Sequence, residues 1–397
     1  MSAPRRISVL GATGSVGLAT LDLVRRAPQG TFEIVALTAH RNVEGLADLA
    51  REFSPEIAVA ADPQCGSALS DALAGTSVRT ACGPDALIEA AGMDADWVMA
   101  AIVGSAGLMA SAAALRPGAA LAIANKECLV CSGDLFMQTA RARGATVLPV
   151  DSEHNAIFQA LRDEHRGHVS RITLTASGGP FRDWPADRMA GVTRRDALAH
   201  PVWEMGEKIS IDSATMMNKG LEVIEACRLF DLAPAKVDVV VHPQSIVHGL
   251  VEYGDGSVLA QLGTPDMRIP IASTLAWPER METPAERLDL ARLSRLDFET
   301  PDPERFPALR VAREALEHGE GATAALNAAN EVAVAAFLAG RTGFLDIVRT
   351  VEDVLSAMDR RETLPKRFSA FDEALDIDAR ARRVADEMIG RLSASSA

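Results

Sequence analysis

The sequence is poor in cysteine, and the number of cysteines is odd. Five occur in a chain of 397 residues. This argues against a disulfide framework, because such frameworks pair cysteines in short secreted chains. Cys128 and Cys131 form a single C-x-x-C motif without a second pair, so we expect buried packing there rather than zinc binding or redox chemistry. The other cysteines are Cys65, Cys82 and Cys227.

Positive charge is also scarce. The chain has 40 lysines and arginines against 54 aspartates and glutamates, for a formal net charge of −14. This balance argues against nucleic acid or an anionic membrane as a partner. An anionic substrate remains compatible, because a few local lysines and arginines are enough to bind one.

Long uncharged runs are nearly absent, and the exception is residues 97–115. This stretch is rich in Ala, Gly and Ser, which favours a buried strand, a Gly-Ser turn and an Ala-rich helix over a membrane span. The apolar stretch near the N-terminus has only four residues before a glycine turn, which is too short for a signal peptide. We therefore expect a soluble, cytoplasmic protein without a membrane partner.

The first 150 residues alternate short apolar runs with helical patterns such as residues 15–26. This alternation predicts βαβ units and a doubly wound parallel sheet. The predicted strands are Ile7–Leu10, Glu33–Leu37, Ile57–Ala60, Trp97–Val103, Ala119–Ala124 and Thr146–Val150.

The pattern changes after residue 151. Further strands are predicted here, and a hairpin turn at 253–257 joins two of them. This indicates an α+β domain with a mixed or antiparallel sheet. Prolines cluster between 277 and 307, and a helical pattern follows. The strands predicted after residue 151 are Arg171–Thr175, Val237–Val241, Ile246–Tyr253 and Ser257–Gln261.

The predicted fold is therefore α/β. It has an N-terminal Rossmann-like doubly wound parallel sheet, a central α+β catalytic domain and a C-terminal helical bundle. The predicted boundaries are 1–150 for nucleotide binding, 151–277 for catalysis, 278–307 for a linker and 308–397 for the helical domain.

Residues 11–17 read Gly-Ala-Thr-Gly-Ser-Val-Gly directly after the first strand. Glycines there allow a pyrophosphate to approach the backbone, and the following helix presents its N-terminal N–H groups. The alternative is an ordinary tight turn. The second strand ends without the acidic residue that NAD sites use, and Arg41 stands where a 2′-phosphate would lie. This favours NADP(H) over NAD(H), with a solvated surface cation as the alternative for Arg41.

Asn125, Lys126 and Glu127 follow the predicted strand 119–124. Lys126 could hold a substrate hydroxyl or phosphate, and either neighbour could contact the cofactor. The alternative is a helix N-terminus with ordinary surface charges.

Asp151 and Glu153 follow another apolar strand, at the edge where open α/β sheets bind ligands. Carboxylates suit a hard divalent cation, Mg²⁺ or Mn²⁺. Two acids leave such an ion short of ligands, so we expect a third from elsewhere.

A helix predicted over 214–230, capped by Asp212 or Ser213, is the best source of the third ligand. Asn218 and Glu222 share one face at i, i+4, with Lys219 beside them. Glu225 is not excluded by spacing, and a solvated polar face is the alternative. Gly220 inside this helix predicts close approach of a ligand or another backbone.

Two segments fit a substrate pocket. Residues 175–180 offer the Ser177 hydroxyl and backbone N–H groups as an oxygen or phosphate cradle. Residues 199–206 fit a lid, because they combine His200, the aromatic Trp203 and a glycine hinge. A plain core tryptophan is the alternative for Trp203. We expect His242 and His248 to be structural.

Taken together, the motifs resemble the 1-deoxy-D-xylulose 5-phosphate reductoisomerase family of the non-mevalonate isoprenoid pathway, over nearly the whole chain. The motifs are Gly-Ala-Thr-Gly-Ser-Val-Gly at 11–17, Ala-Asn-Lys-Glu at 124–127, Val-Asp-Ser-Glu-His-Asn-Ala-Ile-Phe-Gln at 150–159, Ser-Gly-Gly-Pro-Phe at 177–181, Met-Asn-Lys-Gly-Leu-Glu at 217–222 and His-Pro-Gln-Ser at 242–245.

The resemblance implies a homodimer that uses NADPH and Mg²⁺ or Mn²⁺ on a small phosphorylated sugar. Lys126 and Glu153 would be catalytic. The implied metal ligands are Asp151, Glu153 and Glu222. The implied substrate contacts are Lys126, Ser152, Glu153, Ser177, His200, Ser213, Asn218, Lys219 and Glu222. The implied NADPH contacts are Thr13, Gly14, Ser15, Val16, His40, Arg41, Asn42, Asn125, Glu127 and Gly206.

The sequence departs from the family at His40 and Arg41, where glycine and lysine are frequent. Two other classes stay open at this stage. One is another NADP-dependent oxidoreductase, such as a semialdehyde dehydrogenase, which would need a catalytic cysteine. The other is a non-catalytic NADP-sensing protein, which predicts neither turnover nor a metal requirement.

Overall fold

The computed structural model describes residues 3–203, 205–361 and 364–395. The chain forms two compact units. The first unit contains residues up to 128 together with 136–155 and 266–285, and the second unit contains 129–135, 156–265 and the residues from 286 onward. The boundaries expected from the sequence at 150, 277 and 307 stay predictions.

A seven-stranded parallel sheet is the centre of the first unit, in the order β4-β3-β2-β1-β5-β6-β7. The order reverses direction at β1, so the sheet is doubly wound, and the predicted fold class is confirmed. The strands are β1 Arg5–Leu10, β2 Phe32–Ala39, β3 Ile57–Ala60, β4 Arg79–Cys82, β5 Trp97–Ala100, β6 Ala120–Ile123 and β7 Thr146–Pro149.

Sixteen α-helices are assigned among the described residues. They are α1 Ser15–Arg26, α2 Val43–Phe53, α3 Gly66–Ala72, α4 Pro84–Ala91, α5 Leu108–Ala113, α6 Lys126–Arg143, α7 Ser152–Ala160, α8 Arg194–Leu198, α9 Glu207–Ala214, α10 Met217–Phe230, α11 Arg268–Ala276, α12 Leu290–Leu293, α13 Ala308–His318, α14 Glu320–Leu338, α15 Asp346–Arg361 and α16 Phe371–Ser395.

Strands β3, β5 and β6 are buried along their whole length, and β1 and β2 are buried except at their first two residues, as expected for a parallel sheet covered on both faces. The uncharged stretch 97–115 confirms the prediction of a strand, a turn and a helix, because it contains β5, a short 3-10 turn at Ser105–Gly107 and α5. The predicted strand over 97–103 ends earlier, at Ala100.

A four-stranded mixed sheet lies in the second unit, in the order β11-β10-β8-β9. β10 is antiparallel to both β8 and β11, and β8 is parallel to β9. The predicted hairpin turn joins β10 to β11. The strands are β8 Val169–Ala176, β9 Val237–Val241, β10 Val247–Tyr253 and β11 Val258–Leu262.

Helix α14 is the core helix of the second unit and packs against α13, α15 and α16. Among the described residues it is the one helix long and apolar enough to cross a membrane by composition, and 83% of its apolar window is buried inside the protein. Burial of this kind is typical of a core helix in a helical bundle.

Candidate active site

The glycine turn after β1 is held by close backbone contacts. Gly11 has φ +86°, and a Cβ there would lie 2.7 Å from the carbonyl oxygen of Ala101. A Cβ on Gly17 would lie 2.4 Å from the carbonyl oxygen of Gly11. Both positions therefore require glycine for steric reasons. The residues between them, 13–16, are partly or fully exposed at the start of α1, which leaves the helix N-terminus open to an anion.

Arg41, after β2, is the exposed cation of this edge. Its side chain is 72% exposed, and its Nε donates to Asp62 Oδ2 at 2.5 Å. The other carboxylate oxygen of Asp62 accepts from the backbone N–H of Gln64, and these two bonds lower the Asp62 pKa. Asn42 caps α2 by accepting from Gly45 N–H. Sequence reasoning missed Asp62, because it lies 21 residues from Arg41.

Asn125, Lys126 and Glu127 are buried, with 2%, 8% and 4% exposure. The alternative of ordinary surface charges therefore fails. The Asn125 side chain caps α6 by accepting from Cys128 N–H, and its amide donates to the carbonyl oxygen of Gly104 at 3.0 Å. Asn125 thus fixes the start of α6, which carries the two charged residues.

Asp151 and Glu153 occupy the junction between β7 and α7, as predicted. Lys126 Nζ lies 2.6 Å from Asp151 Oδ2. Ser152 donates its hydroxyl to a Glu153 carboxylate oxygen. Two acids and one hydroxyl therefore follow the carboxyl end of β7. Lys126, at the start of α6 in the same unit, lies against the first of these acids.

The helix predicted over 214–230 is present as α10 but begins later, at Met217, and a separate helix, α9, ends at Ala214. Met216 has φ +63° and separates α9 from α10. Asp212 and Ser213 therefore lie in the last turn of α9 and do not cap α10, which corrects the prediction. The Ser177 loop approaches the end of α9 closely, because a Cβ on Gly179, at φ +67°, would be 2.7 Å from the Ser213 carbonyl oxygen.

Asn218 and Lys219 both donate to Glu222, each to a different carboxylate oxygen. The predicted i, i+4 face is thus confirmed. Lys219 is 3% exposed and Glu222 is 1% exposed, so the alternative of a solvated face fails. Gly220 confirms the expectation of a close approach, because a Cβ there would lie 2.8 Å from Ala312 Cβ of α13. Glu225 is equally buried, at 1%.

Ser177 and His200 are brought together in the second unit, at 2.9 Å between Ser177 Oγ and His200 Nε2. His200 Nδ1 accepts from the backbone N–H groups of Val202 and Trp203, at 3.2 and 2.9 Å. The ring proton of the neutral imidazole is therefore on Nε2, which donates to Ser177. Burial lowers the pKa of His200, which keeps the ring neutral at physiological pH.

The predicted lid, residues 199–206, has no regular secondary structure up to Gly206, the N-cap of α9; Glu204 lies outside the described residues. Trp203 is half-buried, and its ring centroid lies 6.4 Å from that of His248. His248 Nε2 lies 3.2 Å from the Gly263 carbonyl oxygen, and His242 Nδ1 lies 2.8 Å from that of Asp297. Each histidine thus contacts a backbone carbonyl oxygen, which supports the predicted structural role.

A pocket of about 510 Å³ lies beside the Ser177 loop and the lid. Its walls combine aromatic and proline rings with two acids and one arginine. They are formed by Gly179, Pro180, Phe181, Arg182, Asp183, Trp184, Asp196, Ala199, Pro201, Val202 and Pro243.

A doubly wound sheet with an open glycine turn, combined with buried acids, lysines and a lid, defines an α/β oxidoreductase of the nucleotide-binding type. Three family models refine this class. They are described as 1-deoxy-D-xylulose 5-phosphate reductoisomerase over residues 7–133, its C-terminal domain over 147–230, and a further DXP reductoisomerase C-terminal domain over 262–384. The chain belongs to the 1-deoxy-D-xylulose 5-phosphate reductoisomerase family.

Relatives match over nearly their whole length. The reductoisomerase of Rhodospirillum centenum is 58% identical, over 97% of this chain and 94% of its own. The structure from Zymomonas mobilis in complex with NADPH is 53% identical, with a TM-score of 0.91, over 97% of this chain and 99% of its own. A reductoisomerase with NADPH, fosmidomycin and magnesium is 44% identical, with a TM-score of 0.93, over 98% and 99%.

The semialdehyde dehydrogenase alternative is not favoured. Cys128 and Cys131 are 0% and 1% exposed, as expected for packing residues, and neither is presented to a substrate. A non-catalytic NADP-sensing role is not favoured either, because relatives at this identity carry the name of an enzyme.

Proposed function

We propose that this protein converts 1-deoxy-D-xylulose 5-phosphate to 2-C-methyl-D-erythritol 4-phosphate, by rearrangement and NADPH-dependent reduction with a divalent metal ion. The observation that carries the proposal is the group of Lys126, Asp151 and Glu153 at the carboxyl edge of the doubly wound sheet. Membership of the reductoisomerase family supports the same reaction.

NADPH would bind along the carboxyl ends of β1 and β2, and it supplies the hydride. Thr13, Gly14, Ser15 and Val16 lie at the open N-terminus of α1, which suits the pyrophosphate. The adenosine side would use His40, Arg41 and Asn42. The remaining proposed NADPH contacts are Asn125, Glu127 and Gly206.

Asp151, Glu153 and Glu222 would hold Mg²⁺ or Mn²⁺, since carboxylates are the ligands that these ions prefer. The bound ion would polarise the substrate carbonyl and an adjacent hydroxyl. These residues fit a divalent metal ion. Acidic oxygens in each unit already lie against a lysine: Asp151 against Lys126 in one unit, and Glu222 against Lys219 in the other. A positive charge against the acids in both places supports the proposal that these acids bind a cation.

The remaining residues would bind and orient the substrate. Ser177, Ser213, Asn218 and Lys219 would anchor the phosphate, because hydroxyl, amide and ammonium donors suit phosphate oxygens. Glu153 would act as a proton acceptor and Lys126 would assist at the substrate oxygens. The lid, through His200, would exclude water during reduction. Ser152 and Glu222 complete the proposed substrate contacts.

We expect a cytoplasmic homodimer that binds neither nucleic acid nor membrane. The net charge of −14 opposes polyanionic partners. Strand β11 is an edge strand with Val258 and Leu259 exposed at 50% and 42%, and an exposed apolar edge favours pairing with a second chain.

The direct test is oxidation of NADPH, followed at its absorbance maximum, with 1-deoxy-D-xylulose 5-phosphate in the presence and absence of Mg²⁺ or Mn²⁺. We expect turnover only with the metal, and loss of turnover but not of NADPH binding when a chelator removes it. Absence of metal-dependent turnover would contradict the proposed function.

The metal ligands are tested by Glu222→Gln. We expect turnover to fall by about a hundredfold or more and metal affinity to weaken, while NADPH still binds. Glu225→Gln is the matched control, because Glu225 is equally buried one turn away on α10. Loss of metal binding in Glu225→Gln alone would move the third ligand to Glu225.

A further inference from the structure

Asp212 is a buried carboxylate that the proposed mechanism does not use. It is 1% exposed and lies on α9, one residue before Ser213. Both of its oxygens are bound: Lys208 Nζ lies 2.7 Å from Oδ2, and the Asn330 amide donates to Oδ1 at 2.8 Å. Asn330 belongs to the core helix α14 and is fully buried.

Such a group is costly to bury. Moving a charge out of water costs several kcal/mol, and an apolar replacement of similar volume is often neutral or stabilising. Stability alone therefore gives no reason to keep Asp212 between Lys208 and Asn330. A fixed geometry does give one, because charge-assisted hydrogen bonds at both oxygens hold the last turn of α9 in one orientation.

The segments that carry the phosphate anchors of the proposed function converge on this turn. Ser213 is in it, and Met216, at φ +63°, bends the chain from it into α10, which presents Asn218 and Lys219. The Ser177 loop packs against it through Gly179, with the contact at the Ser213 carbonyl oxygen. A shift of α9 would therefore displace all of these anchors at once.

The lid leads into the same helix. Gly206 is the N-cap of α9, and Lys208 is the second residue of that helix. The ion pair from Lys208 to Asp212 thus connects the end of the lid with the turn that carries Ser213.

We infer that Asp212 is a positioning residue for the substrate phosphate, supported by Lys208 on the lid side and by Asn330 in the core. This inference rests on the proposed function. Asp212 touches no substrate in this account; it acts through Ser213 and the segments packed on it.

The test measures KM and kcat for 1-deoxy-D-xylulose 5-phosphate, the Kd for NADPH and the melting temperature. For Asp212→Asn we expect KM to rise about tenfold, since small misplacements of positioning groups have effects of this order or larger. The change in kcat should be smaller, and NADPH affinity should stay at the wild-type value. Asp238→Asn, which alters an exposed acid of the same unit, is the control and should leave KM unchanged.

A swap of the two buried groups separates positioning from a general loss of stability. Asp212→Asn combined with Asn330→Asp keeps one carboxylate, one amide and the hydrogen bond between them but loses the ion pair with Lys208, so KM should return part of the way to the wild-type value. Lys208→Met should raise KM, whereas Lys208→Arg should preserve it. Lys208 is 20% exposed, so these two variants remain informative if Asp212→Asn does not fold.

The outcomes are distinct. A wild-type protein without turnover overturns the proposed function. An active wild type with unchanged KM in folded Asp212→Asn, or in Lys208→Met if Asp212→Asn does not fold, overturns the inference alone. A rise in KM in Asp212→Asn that the swap reverses supports it, as does a rise in Lys208→Met that Lys208→Arg does not show.

Discussion

His200 performs two tasks with its two ring nitrogens. Nδ1 accepts the N–H groups of Val202 and Trp203, which folds the lid back on its own start, while Nε2 donates to Ser177. Asparagine places its amide near the Nδ1 position and glutamine places its amide near Nε2. The two tasks can therefore be separated by substitution.

We expect His200→Asn to keep the lid ordered and to lose the Ser177 contact, and His200→Gln to do the reverse. Limited digestion with chymotrypsin, followed at the Trp203 bond by mass spectrometry, measures lid order. His200→Gln should be cut several-fold faster than His200→Asn. Equal cleavage of the two variants would contradict the assigned role of Nδ1.

Acid should have a related effect on the wild type. Burial places the folded-state pKa of His200 below its unfolded value of about 6.5. The stability that the neutral ring contributes is therefore present above the unfolded pKa and is lost as the pH falls through the folded pKa. Cleavage at Trp203 should rise with acidity in the wild type and less so in His200→Asn.

At the scale of the element, helix α6 bends at Ser132, where φ is −150°. The N–H groups of Asp134 and Leu135 just after the bend donate to Glu320 at 2.9 and 3.3 Å, and Phe368 N–H donates to its other oxygen at 2.8 Å. Glu320 is 1% exposed, and burial raises its pKa. One buried carboxylate thus satisfies three backbone donors.

We expect Glu320→Gln to lower the free energy of unfolding by about 1–3 kcal/mol. The amide has one accepting oxygen, so its NH₂ group would meet a backbone N–H instead of accepting from it. Urea denaturation followed by circular dichroism measures the change. Glu314→Gln, on the exposed face of α13, should have little effect. A Glu320 variant as stable as this control would contradict the argument.

The elements that the sequence predicts well are those with a strong local signal. β3 and α1 match their predicted bounds, because an apolar run marks the strand and helical periodicity marks the helix. β4 was missed because this partly exposed edge strand, Arg-Thr-Ala-Cys, lacks an apolar run. The break at Met216 was missed for a different reason: Met216 adopts a left-handed conformation, which is uncommon for a non-glycine residue and has no local sequence signal here.

In the candidate site, too, contacts within one element could be predicted from the sequence and contacts between distant residues could not. Spacing along α10 predicted the Asn218–Glu222 contact, because it is a property of one helix. The pairings of Arg41 with Asp62 and of Asp212 with Asn330 join residues far apart in the chain. A single sequence contains no signal for such contacts.

At the scale of the whole molecule, the exposed edge of the second sheet supports the expected homodimer. Val258→Lys would place a charge on β11 and should shift the protein toward the monomer, since charged side chains protect sheet edges from pairing. Sedimentation velocity measures the change. Leu345→Lys is the control, because Leu345 is comparably exposed, at 48%, outside the sheet. A monomeric wild type would contradict the proposed assembly.

The lysines against the acidic groups have a consequence for which ions the protein accepts. Lys126 and Lys219 already neutralise Asp151 and Glu222, two of the proposed metal ligands, so an ion that binds there would have to compete with a tethered ammonium group. Sodium or potassium carries the same charge as the ammonium group, and its binding also costs translational entropy. A divalent ion has twice the charge and can displace it. The lysines would thus act as a filter that rejects the abundant monovalent ions of the cell.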